Sequence, residues 1–305
     1  MDSAESWVRH SAARMEEAGL YFGHGTDNAL DEAVWLVLHV LQAPLDGSFS
    51  DWGRALSSRE AEQVQALLEK RISSRQPLAY LLGEAWFCGL PFRVSADVLV
   101  PRSPFAELIQ NRLQPWLGSA RPQRALDLCC GSGCIGIALA LAFPELQVDL
   151  ADISLPALDI ARENVTMHGC AARVSPRQSD GFEALAPGGY DLILSNPPYV
   201  PRGALATLPA EYQAEPALGL ASGEDGLDLP LRLLRDAPDF MQPEALLFME
   251  VGESEQRLDA ALAGVPLTWL AFAEGGSGVF MVERETLMAA RPLIAAALEQ
   301  RNHVG

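Results

Sequence analysis

Asp127-Leu128-Cys129-Cys130-Gly131-Ser132-Gly133-Cys134-Ile135-Gly136 closes a short apolar run, 124–128, and opens an apolar segment that reaches from Cys134 to Phe143. Strand, glycine turn and helix in that order form the opening unit of a doubly wound α/β sheet. Residues without side chains let backbone N–H groups at a helix start approach an anionic or nucleoside ligand. Beyond this point short apolar runs alternate with helical segments, which places strands near 124–128, 147–151, 172–176, 190–195, 245–251, 267–273 and 278–283.

The second of these strands ends at Asp152, about 20 residues past Gly131, the interval at which a carboxylate meets the two hydroxyls of a ribose. Gly131-x-Gly133-x-x-Gly136 followed by an acid also satisfies the dinucleotide fingerprint, so this pair of motifs alone leaves the ligand open. The next two motifs narrow it. Ser179-Asp180-Gly181-Phe182 follows the third strand and puts a carboxylate where it can accept from an adenine amino group, with Phe182 available for packing. The fourth run, Tyr190 to Ser195, has the composition of a buried strand and ends in Asn196-Pro197-Pro198-Tyr199.

Two prolines remove two backbone donors and fix φ near about −65°, so the Asn196 amide oxygen and the carbonyls beside it become outward-facing acceptors. Such a notch accepts both hydrogens of a planar, conjugated NH2 group, and the ring of Tyr199 offers a flat face for it. Asn-Pro and Pro-Pro also occur in ordinary surface turns. Four strand-end motifs in this order argue instead for an adenosine-type donor pocket with an acceptor slot at its mouth. A dehydrogenase needs a second, nicotinamide-binding half and a proton donor, and neither is evident in the chain beyond Tyr199.

Ahead of the sheet, residues 1–77 read as helices with polar joins. Ala29 to Leu41 is apolar enough to be buried, and Ser57 with Glu60 has capping-box spacing before Ala61, Val64, Leu68 and Ile72 repeat at helical intervals up to Pro77. No catalytic constellation is found there, and a substrate-recognition domain and a structural appendage are equally compatible readings. Residues 78–103 alternate Phe87, Phe92, Val94, Val98 and Val100 with glycines and prolines, as a β-hairpin linker would. They end in Val100-Pro101-Arg102-Ser103-Pro104, a stiff corner whose arginine faces either Glu107 or a ligand, with the structural pairing the safer expectation. Residues 104–305 hold the sheet.

The 305 residues carry a formal net charge of −18, and an acidic pI near 4.6 opposes wrapping a phosphate backbone. No direct nucleic-acid partner is expected, and a basic protein partner suits the charge better. The longest apolar runs are too short to span a bilayer, and Met1-Asp2-Ser3-Ala4-Glu5 lacks a basic signal-peptide start, so the expected location is the cytoplasm, with no membrane contact. Cys88, Cys129, Cys130, Cys134 and Cys170 show no paired spacing, and neither a disulfide framework nor a metal site is indicated.

Taken with Gln76-Pro77-Leu78-Ala79-Tyr80-Leu81-Leu82-Gly83, the Pro101-Arg102-Ser103-Pro104 corner with Glu107, Glu215-Pro216 and Gly223-Glu224-Asp225-Gly226-Leu227, these motifs make nearly the whole chain resemble the class I S-adenosylmethionine-dependent methyltransferases. Within them it resembles the family that methylates the side-chain N5 of protein glutamine. The Pro-Arg-Ser-Pro form is closer to the branch acting on large-subunit ribosomal protein L three than to the branch acting on peptide chain release factors, which usually has Pro-Arg-Pro-Glu. Cys129-Cys130 departs from the family's smaller Gly-Thr.

The resemblance implies a Rossmann-like seven-stranded sheet and S-adenosyl-L-methionine as cofactor. It implies that Asp127 and Asn196 are among the cofactor-binding residues, that the loop Cys129, Cys130, Gly131, Ser132, Gly133 contacts the donor's methionine end, Asp152 its ribose, and Asp180 with Gly181 the adenine edge. Asn196 and the Pro197 carbonyl, with Pro198 and Tyr199, hold the glutamine amide beside the donor. An adenine-N6 nucleic-acid methyltransferase and a non-catalytic ribosome-assembly factor remain open as alternatives.

Overall fold

The computed structural model describes residues 3–273 and 275–302, so Met1 and Asp2 of the amino-terminal stretch lie outside the described residues. The chain divides into two compact units, one made of 1–96, 100–102 and 208–215, the other of 97–99, 103–207 and 216–305.

The first unit is helical. Its helices span Ala4–Glu17, Ala29–Val40, Ser58–Ser74 and Leu78–Leu82, followed by the antiparallel hairpin β1 (Glu84–Phe87) and β2 (Leu90–Arg93). The capping box expected from the sequence forms: Glu60 N–H donates to Ser57 Oγ at 3.3 Å, and Ser57 N–H donates to Glu60 Oε2 at 2.8 Å, so two orphan donors of the helix start are satisfied. Trp35, Leu36 and Leu38 are buried, as the apolar character of the segment implies, while Leu41, just past the helix end, is half-buried.

This interior also encloses charge, which is tolerated only when paired. Arg71, fully buried, donates to Glu32 Oε1 at 2.7 Å and lies 3.4 Å from Glu211, which Arg75 approaches to 3.0 Å. The segment 208–215 therefore supplies counter-charges to the helices. Its last residue, Glu215, accepts from Arg102 Nη1 and Nη2 at 2.5 and 2.7 Å and from Val100 N–H at 3.0 Å. Burial pushes the Glu215 carboxyl up, but the His24 ring, 3.7 Å away, and Arg102 outweigh it and hold the group at about 2. Arg102 thus takes the structural role. Glu215 is a carboxylate partner for it, and Glu107 Oε1 accepts from the Ala273 N–H at 3.0 Å in the other unit.

The second unit is a seven-stranded sheet with the strands β3 (Arg124–Leu128), β4 (Gln147–Asp152), β5 (Val174–Gln178), β6 (Tyr190–Ser195), β7 (Met241–Glu250), β8 (Thr268–Trp269) and β9 (Val279–Glu283). Their order is β5-β4-β3-β6-β7-β9-β8, parallel from β5 to β7 and antiparallel at β9 and β8. This is the Rossmann-like class I arrangement that the resemblance implied.

Three strands differ by more than one residue from their sequence-based ranges. β5 starts at Val174 because Arg173 ends the preceding turn, where its guanidinium donates to the carbonyls of Ala140 and Leu146. Its Pro176 is admissible because β5 is an edge strand. β7 begins at Met241, ahead of a register shift opposite Tyr190 and Leu192. β8 shrinks to two residues at the other edge, where one neighbour alone supports it.

One core lies between the sheet and the helices Asp228–Asp236 and Arg284–Asn302, joining Leu126, Ile193, Leu247 and Phe280 to Leu231, Leu234 and Leu287. The chain's direction of winding reverses between β3 and β6. In an open α/β sheet the crevice outside the strand ends at such a point is where ligands bind.

Candidate active site

β3 and β6 end side by side, Leu128 opposite Ser195, and the Ser195 hydroxyl donates to the Leu128 carbonyl at 2.8 Å. The glycine turn and the Asn196-Pro197-Pro198-Tyr199 stretch are therefore neighbours at the switch point. Asp127 sits one residue inside the end of β3, where its Oδ2 accepts the Gly136 N–H at 2.8 Å while its Oδ1 is buried with no hydrogen-bond partner. Burial, resisted by the Gly136 N–H and reinforced by the charge of Asp152, pushes its carboxyl up to about 7. A Cβ at Gly136 would come within 2.3 Å of the Leu150 side chain and 2.9 Å of Asp127 Cβ. Only glycine lets the helix Cys134–Ala142 settle this deeply onto the sheet.

The turn itself is held by the next strand. Gly131 N–H donates to Asp152 Oδ2 and Ser154 N–H to Oδ1, both at 2.9 Å, and Cys130 N–H donates to the Ala151 carbonyl at 3.1 Å. Burial raises the Asp152 carboxyl, against the pull of these donors. The Ser132 carbonyl is fixed by Asn164 Nδ2 at 2.9 Å. Cys129, the family departure, has φ +63°, a left-handed backbone that glycine adopts without strain and cysteine does not. The thiols of Cys129 and Cys130 are both pushed up by burial, so they are neutral and add no charge to the loop.

Asp180 follows β5 in a turn drawn to Asp152 by the Ser179 N–H, which donates to the Asp152 carbonyl at 2.9 Å. Its Oδ1 accepts from Arg232 Nη2, and this bond, ahead of the opposing effect of partial burial, holds its carboxyl below the usual range. Phe182 turns inward and stacks on Phe240, with ring centroids 4.5 Å apart.

Asn196 is half-buried between the strand end and two buried prolines, and among the described residues its side-chain amide makes no hydrogen bond. Tyr199, by contrast, is pinned. Its hydroxyl donates to Glu250 Oε1 at 3.1 Å, and its carbonyl accepts from Ser254 Oγ at 2.7 Å. Val200 pairs with Ala221, and the Arg202 N–H donates to the Gly223 carbonyl at 2.9 Å, which lays the Gly223–Leu227 stretch alongside.

All the candidate residues of this unit thus converge on the strand ends of β3, β4, β5 and β6. Sequence reasoning missed Glu250, at the end of β7, and Ser254 and Arg232. A carboxylate closing an apolar strand was the available signal for the first. It missed also Ile153, an apolar side chain 46% exposed directly after Asp152.

The residues suit S-adenosyl-L-methionine. A buried, unpartnered carboxylate oxygen on Asp127 and the carboxyls of Asp152 and Asp180 answer a cationic, hydroxyl-bearing adenosyl ligand, and a side chain at Gly131 would fill open space beside them. Among the described residues no group of three or more His, Cys, Asp or Glu is placed to hold a metal.

Residues 107–210 match the family described as methyltransferase small domain, and residues 6–83 that described as PrmC N-terminal domain. The ribosomal protein uL3 glutamine methyltransferase of Xanthomonas campestris is 50% identical over 283 residues, covering 92% of this chain and 91% of its own. Its counterpart from Xylella fastidiosa is 49% identical over 294 residues, covering 96% and 94%, and that from Bordetella pertussis 44% over 283 residues, covering 92% and 94%. With half its residues shared over nearly its full length, the chain belongs to the ribosomal protein uL3 glutamine methyltransferase family.

Proposed function

We propose that this chain transfers a methyl group from S-adenosyl-L-methionine to the side-chain N5 of a glutamine in ribosomal protein uL3, and that it does so in the cytoplasm. The observation that carries the chemistry is the Asn196 amide, unpartnered at the end of β6 beside two buried prolines. In this reading residues 1–77 recognise the substrate, 78–103 link, and 104–305 perform the transfer.

When bound, S-adenosyl-L-methionine supplies an electrophilic sulfonium methyl. Asp127 and the turn from Cys129 to Gly133 hold its methionine end, Asp152 the ribose, Asp180 and Gly181 the adenine edge, with Ile153 as an apolar surface for the base. A glutamine amide nitrogen is a poor nucleophile because its lone pair is delocalised. Asn196 Oδ1 and the Pro197 carbonyl accept its two N–H bonds, which returns electron density to nitrogen and fixes its direction. Tyr199 and Pro198 bound the slot. Positioning of this kind supplies up to about 7–11 kcal/mol of barrier reduction, so no strong base is required before transfer. The surplus proton leaves the alkylated nitrogen afterwards, when it is far more acidic.

Replacing Asp152 by Ala weakens donor binding by about 10- to 100-fold, the loss of a charge-assisted pair of hydrogen bonds worth roughly 1.5–3 kcal/mol. Calorimetry with S-adenosyl-L-homocysteine reads this directly, and an unchanged Kd would place the nucleoside elsewhere.

The substrate is tested side by side, with free uL3, a peptide chain release factor and a duplex DNA each offered with labelled donor. A glutamine-to-alanine control of each protein is included. Labelled uL3 is expected, slowing by about tenfold between 0.05 and 0.5 M salt as screening removes the attraction of an acidic enzyme for a basic protein. Faster labelling of the release factor would move the chain to the other branch. Label surviving the glutamine-to-alanine change, or entering the DNA, would remove the glutamine chemistry.

A further inference from the structure

Glu250 closes β7 with a carboxylate that is 6% exposed, and it receives a hydroxyl on each oxygen. Ser103 Oγ donates to Oε2 at 2.5 Å, and Tyr199 donates to Oε1 at 3.1 Å. Ser103 is itself buried and fixed, since its Oγ accepts the Phe105 N–H at 3.1 Å. A buried carboxylate with both oxygens occupied has one orientation, and it passes that orientation to the groups that hold it.

Tyr199 has little freedom elsewhere. A Cβ at Gly252, two residues after Glu250, would lie 2.6 Å from the Tyr199 ring, and the Ser254 hydroxyl that holds the Tyr199 carbonyl accepts from Arg257 Nη2 at 2.8 Å. Ring and carbonyl are thus both held, and Pro197 and Pro198 transmit the result to Asn196 through a chain with few free torsions.

We propose that Glu250 is a positioning residue for methyl transfer. Its carboxylate couples the Ser103 hydroxyl to the Tyr199 phenol and so fixes the Asn196–Pro197 acceptor pair, a role that rests on reading this stretch as the slot for the glutamine amide. It also gives the serine of the Pro101-Arg102-Ser103-Pro104 corner a function that proline, having no hydroxyl, cannot perform.

The test uses the full chain with uL3 as substrate. Glu250→Ala lowers kcat by about 30-fold, while the KM for uL3 and the Kd for S-adenosyl-L-homocysteine stay within about threefold. Glu250→Gln, which keeps the shape and one acceptor oxygen, recovers most of the loss. A kcat within twofold of the native value in Glu250→Ala, or a kcat loss matched by an equal loss of donor affinity, overturns the proposal. Should Glu250→Ala not fold, a double-mutant cycle of Ser103→Ala and Tyr199→Phe decides. The two hydroxyls meet through the Glu250 carboxylate, so coupling of at least about threefold in kcat supports the link and additive effects reject it. Asn196→Ala is assayed in parallel. If it is fully active, the slot reading fails and this inference with it. An inactive Asn196→Ala beside a fully active Glu250→Ala removes this inference alone.

Discussion

Asn196→Ala lowers kcat by about a hundredfold or more while the Kd of the donor moves by less than about threefold, the scale expected for losing a preorganised acceptor in the transition state. The separation follows from what the side chain touches. The carboxylates of Asp127, Asp152 and Asp180 all lie on other strand ends or turns, and Asp152 and Asp180 are held there by backbone donors and by Arg232. The Asn196 amide has no partner of its own among the described residues, so removing it costs the fold little and leaves the donor's side of the site in place. Asn196→Asp is the sharper companion. It keeps an acceptor at Oδ1 and the size of the group, yet adds a negative charge beside the notch, so it retains more turnover than alanine only if acceptance from the glutamine N–H is the function. Steady-state kinetics on uL3 with calorimetry on the donor analogue separates the two quantities, and equal losses in both would place Asn196 on the donor instead.

Much of this arrangement is local enough to be read from the chain. Asp127, the glycine turn and the start of the apolar helix lie within ten consecutive residues, and the physics that joins them is short-range: a strand's apolar alternation, the conformational freedom of glycine, and a helix start with free N–H groups. The strand ends at Asp152 and Asn196 are legible for the same reason. Long-range pairing is not legible. Arg102 finds Glu215 and Asp180 finds Arg232 because the fold brings them together across many residues, and nothing in the spacing of the charges marks them as partners. Phe182 was available for packing in the sequence, but that its partner is Phe240 depends on where β7 begins. Glu250 is the clearest such case. In the sequence it is one acid among 40, marked only by closing an apolar strand, and the fold alone brings the Ser103 and Tyr199 hydroxyls to it.

Gly226→Ala is the second substitution with a large expected effect, and its cause is steric. Gly226 has φ +87°, and a Cβ built on it would stand 2.1 Å from the Tyr199 carbonyl oxygen and 2.8 Å from Ser254 Oγ. A flexible side chain could turn away, but the Tyr199 carbonyl is backbone and is already engaged by Ser254 at 2.7 Å. The clash is therefore relieved only by moving the chain around Tyr199, three residues beyond Asn196, and a shift of about 1 Å in a positioned reacting group costs on the order of a hundredfold in rate. The left-handed backbone adds strain of about 1–3 kcal/mol for any residue with a side chain. Gly203→Ala is the matched control, since a Cβ there meets nothing within 4 Å. The expected result is that Gly226→Ala melts several degrees below the native protein and loses about a hundredfold or more in kcat, with Gly203→Ala unchanged in both. Full turnover in a folded Gly226→Ala would mean that the Tyr199 backbone can move without consequence, and the rigid acceptor slot would have to be abandoned as the source of catalysis.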